Sequence, residues 1–192
     1  MKKIGFGIIG SGSASIYHIK AIDAASDAKL IGIYSVDKMS AERLATEYNV
    51  RCFECIDDMI DCAEIDIINI CTPSGTHAEL AERLLLAGKH VVIEKPIALT
   101  PSDAERVCLA SQTSGRVCSV ISQLRFFDNA QRIKNAVDSC LLGKITFASA
   151  YMKYYRSPEY YAAADWRGKW SSDGGLLMNQ GVHGIDLFRY FV

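Results

Sequence analysis

The sequence has 192 residues, of which 49% are hydrophobic and 22% charged, and its formal net charge is -1. These proportions are typical of a globular protein and argue against disorder, collagen-like repeats and coiled coil. No uncharged apolar run approaches the ~20 residues of a membrane helix, so we expect no membrane-spanning segment. The chain is near-neutral and has no stripe of Lys and Arg whose positive potential would attract phosphates, so we do not expect nucleic acid as a partner.

The seven cysteines also bear on location and on metal binding. They are odd in number, and several lie in apolar runs, which favours reduced thiols over a disulfide framework. No small-residue cleavage pattern follows the N-terminus, so we expect a cytoplasmic protein. Cys52 and Cys55 form a C-x-x-C pair, but no second ligand pair accompanies it, so we predict no metal site and read the pair as two thiols on a short strand and its exit.

Short apolar runs alternate with amphipathic stretches along the first part of the chain. The runs have the length and Val/Ile content of β-strands, whereas the stretches carry apolar residues at three- and four-residue spacing. Strands joined by crossover helices predict an α/β domain with a doubly wound parallel sheet over residues 1–123. The predicted strands are 4–9, 30–34, 66–71, 90–93 and 117–121, and the predicted helices are 13–25, 40–48, 76–87 and 101–111.

The pattern changes in residues 124–192. Residues 126–140 indicate one more helix, 144–155 alternate like a long strand, and an irregular aromatic segment leads to a last helix that opens at 173–175 and reaches residue 192. One strand and one helix do not bury each other's faces alone. We therefore expect these residues to be the incomplete start of an α+β open-sheet domain, and the chain to be a fragment.

A glycine-rich turn follows the first predicted strand. Residues 10–15 read G-S-G-S-A-S, which departs from the dinucleotide fingerprint G-x-G-x-x-G/A only at its last position. Gly10 permits the tight turn, Gly12 lets the backbone approach a diphosphate, and Ser13 and Ala14 open a helix whose N-terminus favours an anion. The turn therefore predicts that the protein binds NAD or NADP. The alternative is a glycine-rich turn that binds no ligand.

The end of the second strand bears on which nucleotide binds. The fingerprint expects an acidic residue about 20 residues on, bonded to the adenosine ribose. Ser35 holds that place and leaves room for a 2′-phosphate, with which Lys38 could pair. Asp37 could equally be the ribose acceptor, displaced by two residues. These residues favour NADP slightly over NAD.

Glu94 and Lys95 follow the predicted strand 90–93. Ligands of open parallel sheets bind outside the carboxyl ends of the strands, so a lysine there points to the cofactor crevice. An ammonium beside a carboxylate can donate to a substrate hydroxyl and stabilise a developing alkoxide. The alternative is a solvated surface pair.

Four motifs together resemble the successive signatures of the Gfo/Idh/MocA oxidoreductases, the glucose–fructose oxidoreductase and inositol dehydrogenase family. The motifs are 10–12, 71–77 (C-T-P-S-G-T-H), 94–96 (E-K-P) and 174–183 (G-G-L-L-M-N-Q-G-V-H). The resemblance covers essentially the whole chain. It implies hydride transfer between a nicotinamide and a hydroxyl or carbonyl of a sugar, cyclitol or nucleotide sugar, and a homo-oligomer for the full-length protein.

The resemblance also implies roles for individual residues. The lysine of Glu-Lys-Pro binds the reacting hydroxyl, which gives that role to Lys95. The family's Asp-x-x-x-His corresponds to Asn179 and His183, whose spacing of four puts both side chains on one face of an α-helix. His183 can act as general base. Asn179 departs from the pattern, because an amide can orient substrate but cannot take a proton.

Two further groups of residues complete the predicted site. In the family, the loop that corresponds to Thr72, Pro73 and His77 lines the cofactor. We predict that Glu94 also contributes to cofactor binding. The segment 151–170 is rich in aromatic residues that can pack against a sugar. Its predicted substrate contacts are Tyr155, Trp166 and Arg167, and the alternative for this segment is interface or sheet packing.

Two other functions remain open on the same fold. A non-catalytic nucleotide-binding regulator is one, and the presence of both Lys95 and His183 argues against it. An NAD-dependent glycosidase that oxidises its substrate transiently is the other, and no residue separates it from a dehydrogenase.

Overall fold

A computed structural model describes residues 3–192, and the chain divides into two compact units with the boundary between Val120 and Ile121. The first unit alternates strands and helices, as predicted. Its strands are β1 (Ile4–Ile9), β2 (Ala28–Tyr34), β3 (Arg51–Cys52), β4 (Ile67–Ile70), β5 (His90–Ile93) and β6 (Cys118–Val120). Its helices are α1 (Ser13–Ala24), α2 (Lys38–Glu47), α3 (Ile56–Asp61), α4 (His77–Leu86) and α5 (Pro101–Ser114).

All six strands are parallel and lie in the order β3-β2-β1-β4-β5-β6. This is the strand order of the Rossmann fold, so the predicted doubly wound sheet is confirmed. Successive strands are added outward on one side of β1 as far as β3 and then on its other side from β4 onward, so the strand order reverses between β1 and β4. At this point Ile9 pairs with Ile70, and Ile70 pairs in turn with Ile93. The residues that follow these three strands therefore lie along one edge of the sheet, at the switch point where such folds bind ligands.

The sheet is buried on both faces because successive residues of its central strand point to opposite helical layers. Ile8 packs with side chains of α1 and α2, and Ile9 packs with side chains of α4 and α5. Both isoleucines are at most 2% exposed. Continuous apolar strands such as β1 are what a parallel sheet between two layers of helices requires.

Local sequence signals stabilise the helix ends. The Thr100 hydroxyl accepts a hydrogen bond from the amide of Asp103 at 3.2 Å, and Pro101 occupies the first helical position of α5. After α4 the chain turns at Gly88, whose φ is +86°. A left-handed residue after a helix ends its hydrogen-bond ladder, and glycine adopts it without steric cost.

The second unit is helical in the described residues. It contains a 3₁₀ turn (Gln123–Phe126), α6 (Asp128–Asp138), α7 (Pro158–Ala162), α8 (Trp170–Asp173), a π-helical turn (Leu177–Gly181) and α9 (Val182–Phe191). Arg125 makes a bidentate ion pair with Asp186 of α9, with Nε 2.8 Å from Oδ2. No helix among residues 3–192 is long and apolar enough to cross a bilayer.

The predicted strand at 144–155 is wrong for this structure. Residues 145–156 have neither helical nor strand hydrogen bonding. A strand needs a neighbour for its backbone donors and acceptors, and no strand of the described residues pairs with this segment. Its alternating sequence therefore indicates a potential strand that finds no partner here.

Candidate functional site

The turn after β1 places a glycine where no side chain fits. Gly10 has a φ of +114°, and a Cβ added there would lie 2.4 Å from the carbonyl oxygen of Cys71. Its amide donates to the carbonyl oxygen of Tyr34 at 2.7 Å, and its carbonyl accepts from Ser15 Oγ at 2.9 Å. The turn thus brings the ends of β1, β2 and β4 together, as the first glycine of the fingerprint requires.

The N-terminus of helix α1 is exposed. Its N-cap is Gly12, which has an ordinary φ of -78° and no side chain to cap the first turn. A Cβ added to Gly12 would meet no atom of the described residues within 4 Å. Gly12 and Ser13 are exposed, and Ala14 is half-buried. Because backbone N–H groups at an uncapped helix start bind anions, this end of α1 fits a diphosphate.

Ser15 stands where the fingerprint has its third glycine or alanine. It is fully buried, and its bond to the Gly10 carbonyl satisfies its hydroxyl. The departure from the fingerprint therefore does not disturb the packing of helix on sheet. The neighbouring Cys71 is also buried, and burial raises the pKa of its thiol, so it is not a nucleophile at neutral pH.

Ser35 lies beside the glycine turn at the end of β2. Its Oγ accepts a hydrogen bond from Ser11 Oγ at 3.0 Å and another from the amide of Asp37 at 3.2 Å. The place at which the fingerprint has its acidic residue thus presents a neutral hydroxyl.

Asp37 and Lys38 each have a partner within the chain. The Asp37 carboxylate accepts from Ser40 Oγ at 2.6 Å and from the Ser40 amide at 3.1 Å, and these two bonds lower its pKa. Lys38 Nζ lies 2.7 Å from Glu54 Oε2, with the two side chains 60% and 71% exposed. Because ion pairs this exposed contribute about 0–1 kcal/mol, Lys38 can exchange Glu54 for a phosphate at little cost.

The loop after β4 is held by His77. The ring is 1% exposed, with Nδ1 2.7 Å from the carbonyl oxygen of Pro96 and Nε2 2.9 Å from that of Thr72. Thr72 and Pro73 are half-buried. His77 therefore ties the loop after β4 to the segment after β5 and does not present its ring at the surface.

Glu94 and Lys95 follow β5 at the same edge of the sheet, next to a buried chain of polar groups. Glu94 Oε1 lies 3.1 Å from His18 Nε2, and His18 Nδ1 lies 2.8 Å from Asn69 Nδ2. The other carboxylate oxygen of Glu94 accepts from the backbone amide of Lys95 at 3.2 Å. Lys95 is half-buried. Burial alone would raise the pKa of Glu94, but the hydrogen bond from His18, followed by the amide and charge of Lys95, outweighs burial and lowers it.

In the second unit, Asn179 joins a buried carboxylate. It is 8% exposed, its Nδ2 donates to Asp173 Oδ1 at 2.5 Å, and its Oδ1 accepts from Gln180 Nε2 at 2.6 Å. Asp173 is 2% exposed, and its second oxygen accepts from the amide of Gly168 at 2.7 Å. His183 lies in the first turn of α9 and is half-buried.

The helix between these two residues is not uniform. Asn179 lies in the π-helical turn, whereas His183 lies in α9. A turn closed by i→i+5 bonds is wider than an α-helical one, so the α-helical rule that residues four apart share a face does not carry over unchanged. Such turns are frequent at functional sites.

The predicted substrate contacts differ in exposure and in their contacts. Tyr155 is 81% exposed in the segment without regular structure. The Arg167 guanidinium lies 4.4 Å from the ring centroid of Tyr160 and 5.6 Å from that of Trp166, and its Nη1 donates to the Tyr160 carbonyl at 2.9 Å. Its buried Nε has no hydrogen-bond partner among the described residues.

No functional role was predicted from the sequence for three members of these networks, which are His18, Asn69 and Asp173. Asn69 did carry a signal, because it is a polar side chain inside the apolar strand Ile67–Ile70.

Cys52 and Cys55 are free thiols at the end of β3 and the start of α3. Cys55 Sγ accepts from the amide of Asp58 at 3.4 Å. Within residues 3–192, no cluster of three or more His, Cys, Asp or Glu side chains could hold a metal ion.

Known proteins share this fold. Among solved structures, the WlbA dehydrogenase from Chromobacterium violaceum, in complex with NADH and UDP-GlcNAcA, has a TM-score of 0.95 and 30% identity, covering 100% of this chain and 56% of its own. The corresponding complex from Bordetella pertussis has the same TM-score and coverage at 35% identity. Among curated relatives, an inositol 2-dehydrogenase of Rhizobium meliloti is 30% identical over 97% of this chain and 54% of its own length.

The chain thus spans about half the length of the curated relatives it matches. Two family models account for nearly all of it. Residues 4–122 match the model described as an oxidoreductase family with an NAD-binding Rossmann fold, and residues 130–192 match the GFO/IDH/MocA C-terminal domain. The glycine turn, the sheet order and these matches agree, and the chain belongs to the Gfo/Idh/MocA oxidoreductase family.

Proposed function

We propose that the protein is an NAD(P)-dependent oxidoreductase that interconverts a hydroxyl and a carbonyl on a sugar, cyclitol or nucleotide sugar. The proposal rests on the N-terminus of α1, which has no side-chain cap at Gly12. This N-terminus lies directly after a turn in which Gly10 leaves no room for a side chain. The nucleotide-sugar and inositol enzymes to which the chain is similar support the substrate class.

The residues of the first unit would hold the nucleotide. Gly10 shapes the turn, while Gly12, Ser13 and Ala14 offer backbone amides to the diphosphate. Thr72, Pro73 and Glu94 line the remainder of the nucleotide. When bound, the nicotinamide supplies the hydride acceptor or donor.

Lys95 and His183 would carry out the proton transfer to and from the substrate oxygen. The Lys95 ammonium donates to the substrate oxygen and stabilises negative charge as it develops there. His183 accepts the hydroxyl proton as general base. Asn179 orients the substrate through an amide that Asp173 holds by one hydrogen bond. Arg167 would supply hydrogen-bond donors to the sugar, and Trp166 and Tyr155 would supply aromatic surface.

NADP is the cofactor we favour. Ser35 is neutral, and the Asp37 carboxylate already caps α2 through Ser40, which leaves it less available to the ribose hydroxyls. Lys38 carries the positive charge that a 2′-phosphate needs, and its ion pair with Glu54 is exposed. Titration with NADH and NADPH, followed by fluorescence, tests this choice. Lys38→Ala should weaken NADPH binding and leave NADH binding unchanged.

The function is tested by mixing the full-length protein with NADP or NAD and a panel of myo-inositol, glucose 6-phosphate and UDP-GlcNAcA. The proposal expects cofactor reduction with at least one compound, and loss of that reduction in Lys95→Met. A protein that binds nucleotide but reduces it with none of them would favour the regulator. Release of an aglycone from a glycoside without net reduction would favour the glycosidase.

A further inference from the structure

We propose that His18 is a positioning residue of this site, which holds the Glu94 carboxylate, and through it the backbone at Lys95, from within helix α1. The inference rests on the proposed function, because it requires Glu94 and Lys95 to belong to the site.

The contacts form one chain across three elements. Asn69 of β4 reaches His18 of α1 at 2.8 Å, and His18 reaches Glu94 after β5 at 3.1 Å. Glu94 then accepts from the amide of Lys95 with its second oxygen at 3.2 Å. Each carboxylate oxygen of Glu94 therefore has its own donor, so the side chain is fixed at two points.

The direction of the hydrogen bond to Glu94 follows from its carboxylate. The pKa of Glu94 is lowered, so the group is ionised at neutral pH, and an ionised carboxylate only accepts hydrogen bonds. His18 Nε2 therefore carries a proton, while Nδ1 faces the side-chain amide of Asn69 at 2.8 Å. This makes His18 the donor to Glu94 and orients the ring from behind.

His18 and Asn69 are buried polar side chains in an apolar part of the first unit. His18 is 8% and Asn69 3% exposed, and they lie beside fully apolar neighbours such as Ile19 and Ile68. Asn69 Oδ1 is buried without a hydrogen-bond partner among the described residues. Buried polar groups of this kind are seldom better for stability than apolar side chains of similar size. The arrangement costs stability at one acceptor, which is reasonable if it serves the position of Glu94.

Helix α1 gives this contact a second consequence. The same helix that begins at Ser13, next to the glycine turn, carries His18 about one and a half turns later. One rigid element therefore faces the diphosphate at its start and fixes the carboxylate beside Lys95 from its middle. The positions of the nucleotide and of the proton donor are set by one helix.

The test compares His18→Leu, which removes the donor, with His18→Gln, which keeps an N–H that can reach Glu94. The control is His90→Leu, because His90 lies at the opposite end of β5 and its ring bonds only the amide of Val117, at 3.0 Å, among the hydrogen bonds described. We expect His18→Leu to lower kcat by about 10- to 100-fold, the scale of a misplaced catalytic group. The Kd for NADPH should change far less, and His18→Gln should recover most of kcat.

The pKa of the Glu94 carboxyl separates positioning from general loss of structure. His18 lowers this pKa, so without His18 the carboxyl protonates at a higher pH. In ¹³C NMR titrations of glutamate-labelled protein, the pKa of Glu94 should rise in His18→Leu and stay in place in His90→Leu. Equal losses of kcat in the two leucine variants, with an unshifted pKa of Glu94, would overturn the proposal.

A readout on the unliganded protein is independent of activity. The chain has four histidines, so ¹⁵N spectra of histidine-labelled protein can be assigned with single variants. We expect the His18 ring to carry a proton on Nε2. A ring with its only proton on Nδ1 would overturn the contact. If the wild type binds neither nucleotide, the proposed function fails, yet these spectra still decide whether His18 donates to Glu94.

Discussion

Replacing each glycine of the turn by alanine separates the fold of the turn from its binding role. In Gly10→Ala, the new Cβ would lie 2.4 Å from the Cys71 carbonyl oxygen at a φ of +114°. A strained backbone of this kind costs on the order of 1–3 kcal/mol before the clash is relieved. We therefore expect a loss of at least that order in the free energy of unfolding, measured by urea denaturation.

Gly12→Ala is the matched variant. Its φ of -78° suits alanine, and the added methyl group meets no atom of the described residues within 4 Å. Stability should fall by no more than about 1 kcal/mol, because alanine is a poorer N-cap than glycine. The methyl group would, however, stand where the diphosphate approaches, so we expect the Kd for NADPH to rise about tenfold or more, which corresponds to ~1.4 kcal/mol. Unchanged affinity in folded Gly12→Ala would refute the placement of the diphosphate.

Three other changes test separate parts of the structure. Thr100→Ala removes the cap of α5 and should lower the free energy of unfolding by about 1 kcal/mol, whereas Thr100→Ser should retain most of it; equal losses in urea denaturation would contradict the capping role. Asp186→Asn should destabilise the protein at neutral pH, because Arg125 lowers the pKa of Asp186; the difference from wild type should shrink as pH falls through that lowered pKa, and a difference constant with pH would contradict the ion pair. Cys71 should resist alkylation in the folded protein and react after unfolding, as mass spectrometry can show, since burial raises the pKa of its thiol.

The first unit followed from sequence because its signals are local. The strands 4–9 and 90–93 were predicted at their observed bounds, since each is a short apolar run bounded by charged residues or glycine. The short strand at Cys52 was predicted without bounds and corresponds to β3, whereas α3 was not predicted. α3 has six residues, three of them aspartates, so it carries no readable apolar period.

The second unit was harder because its elements depend on partners. Residues 144–155 alternate as a strand does, yet strand formation also needs a neighbour, which sequence alternation does not supply. The π-helical turn around Asn179 was also beyond prediction, since spacing alone does not distinguish an α-helical from a π-helical turn. The bond from Asn179, which lies in that turn, to Asp173 was also not predicted.

The candidate site shows the same division. Gly10 and the strand end before Glu94 could be predicted, because they follow from chain order in a parallel sheet. The contact from His18 to Glu94 could not, because it joins residues 76 positions apart through side chains on two different elements.

Amide NMR spectra recorded during titration with NADPH test directly whether a nicotinamide dinucleotide binds on the glycine turn with Lys95 at its reactive end. We expect the largest shifts at Gly12, Ser13 and Ala14, with a second group at Glu94 and Lys95. Saturating nucleotide that leaves the amides of the glycine turn unshifted would show that it does not bind there.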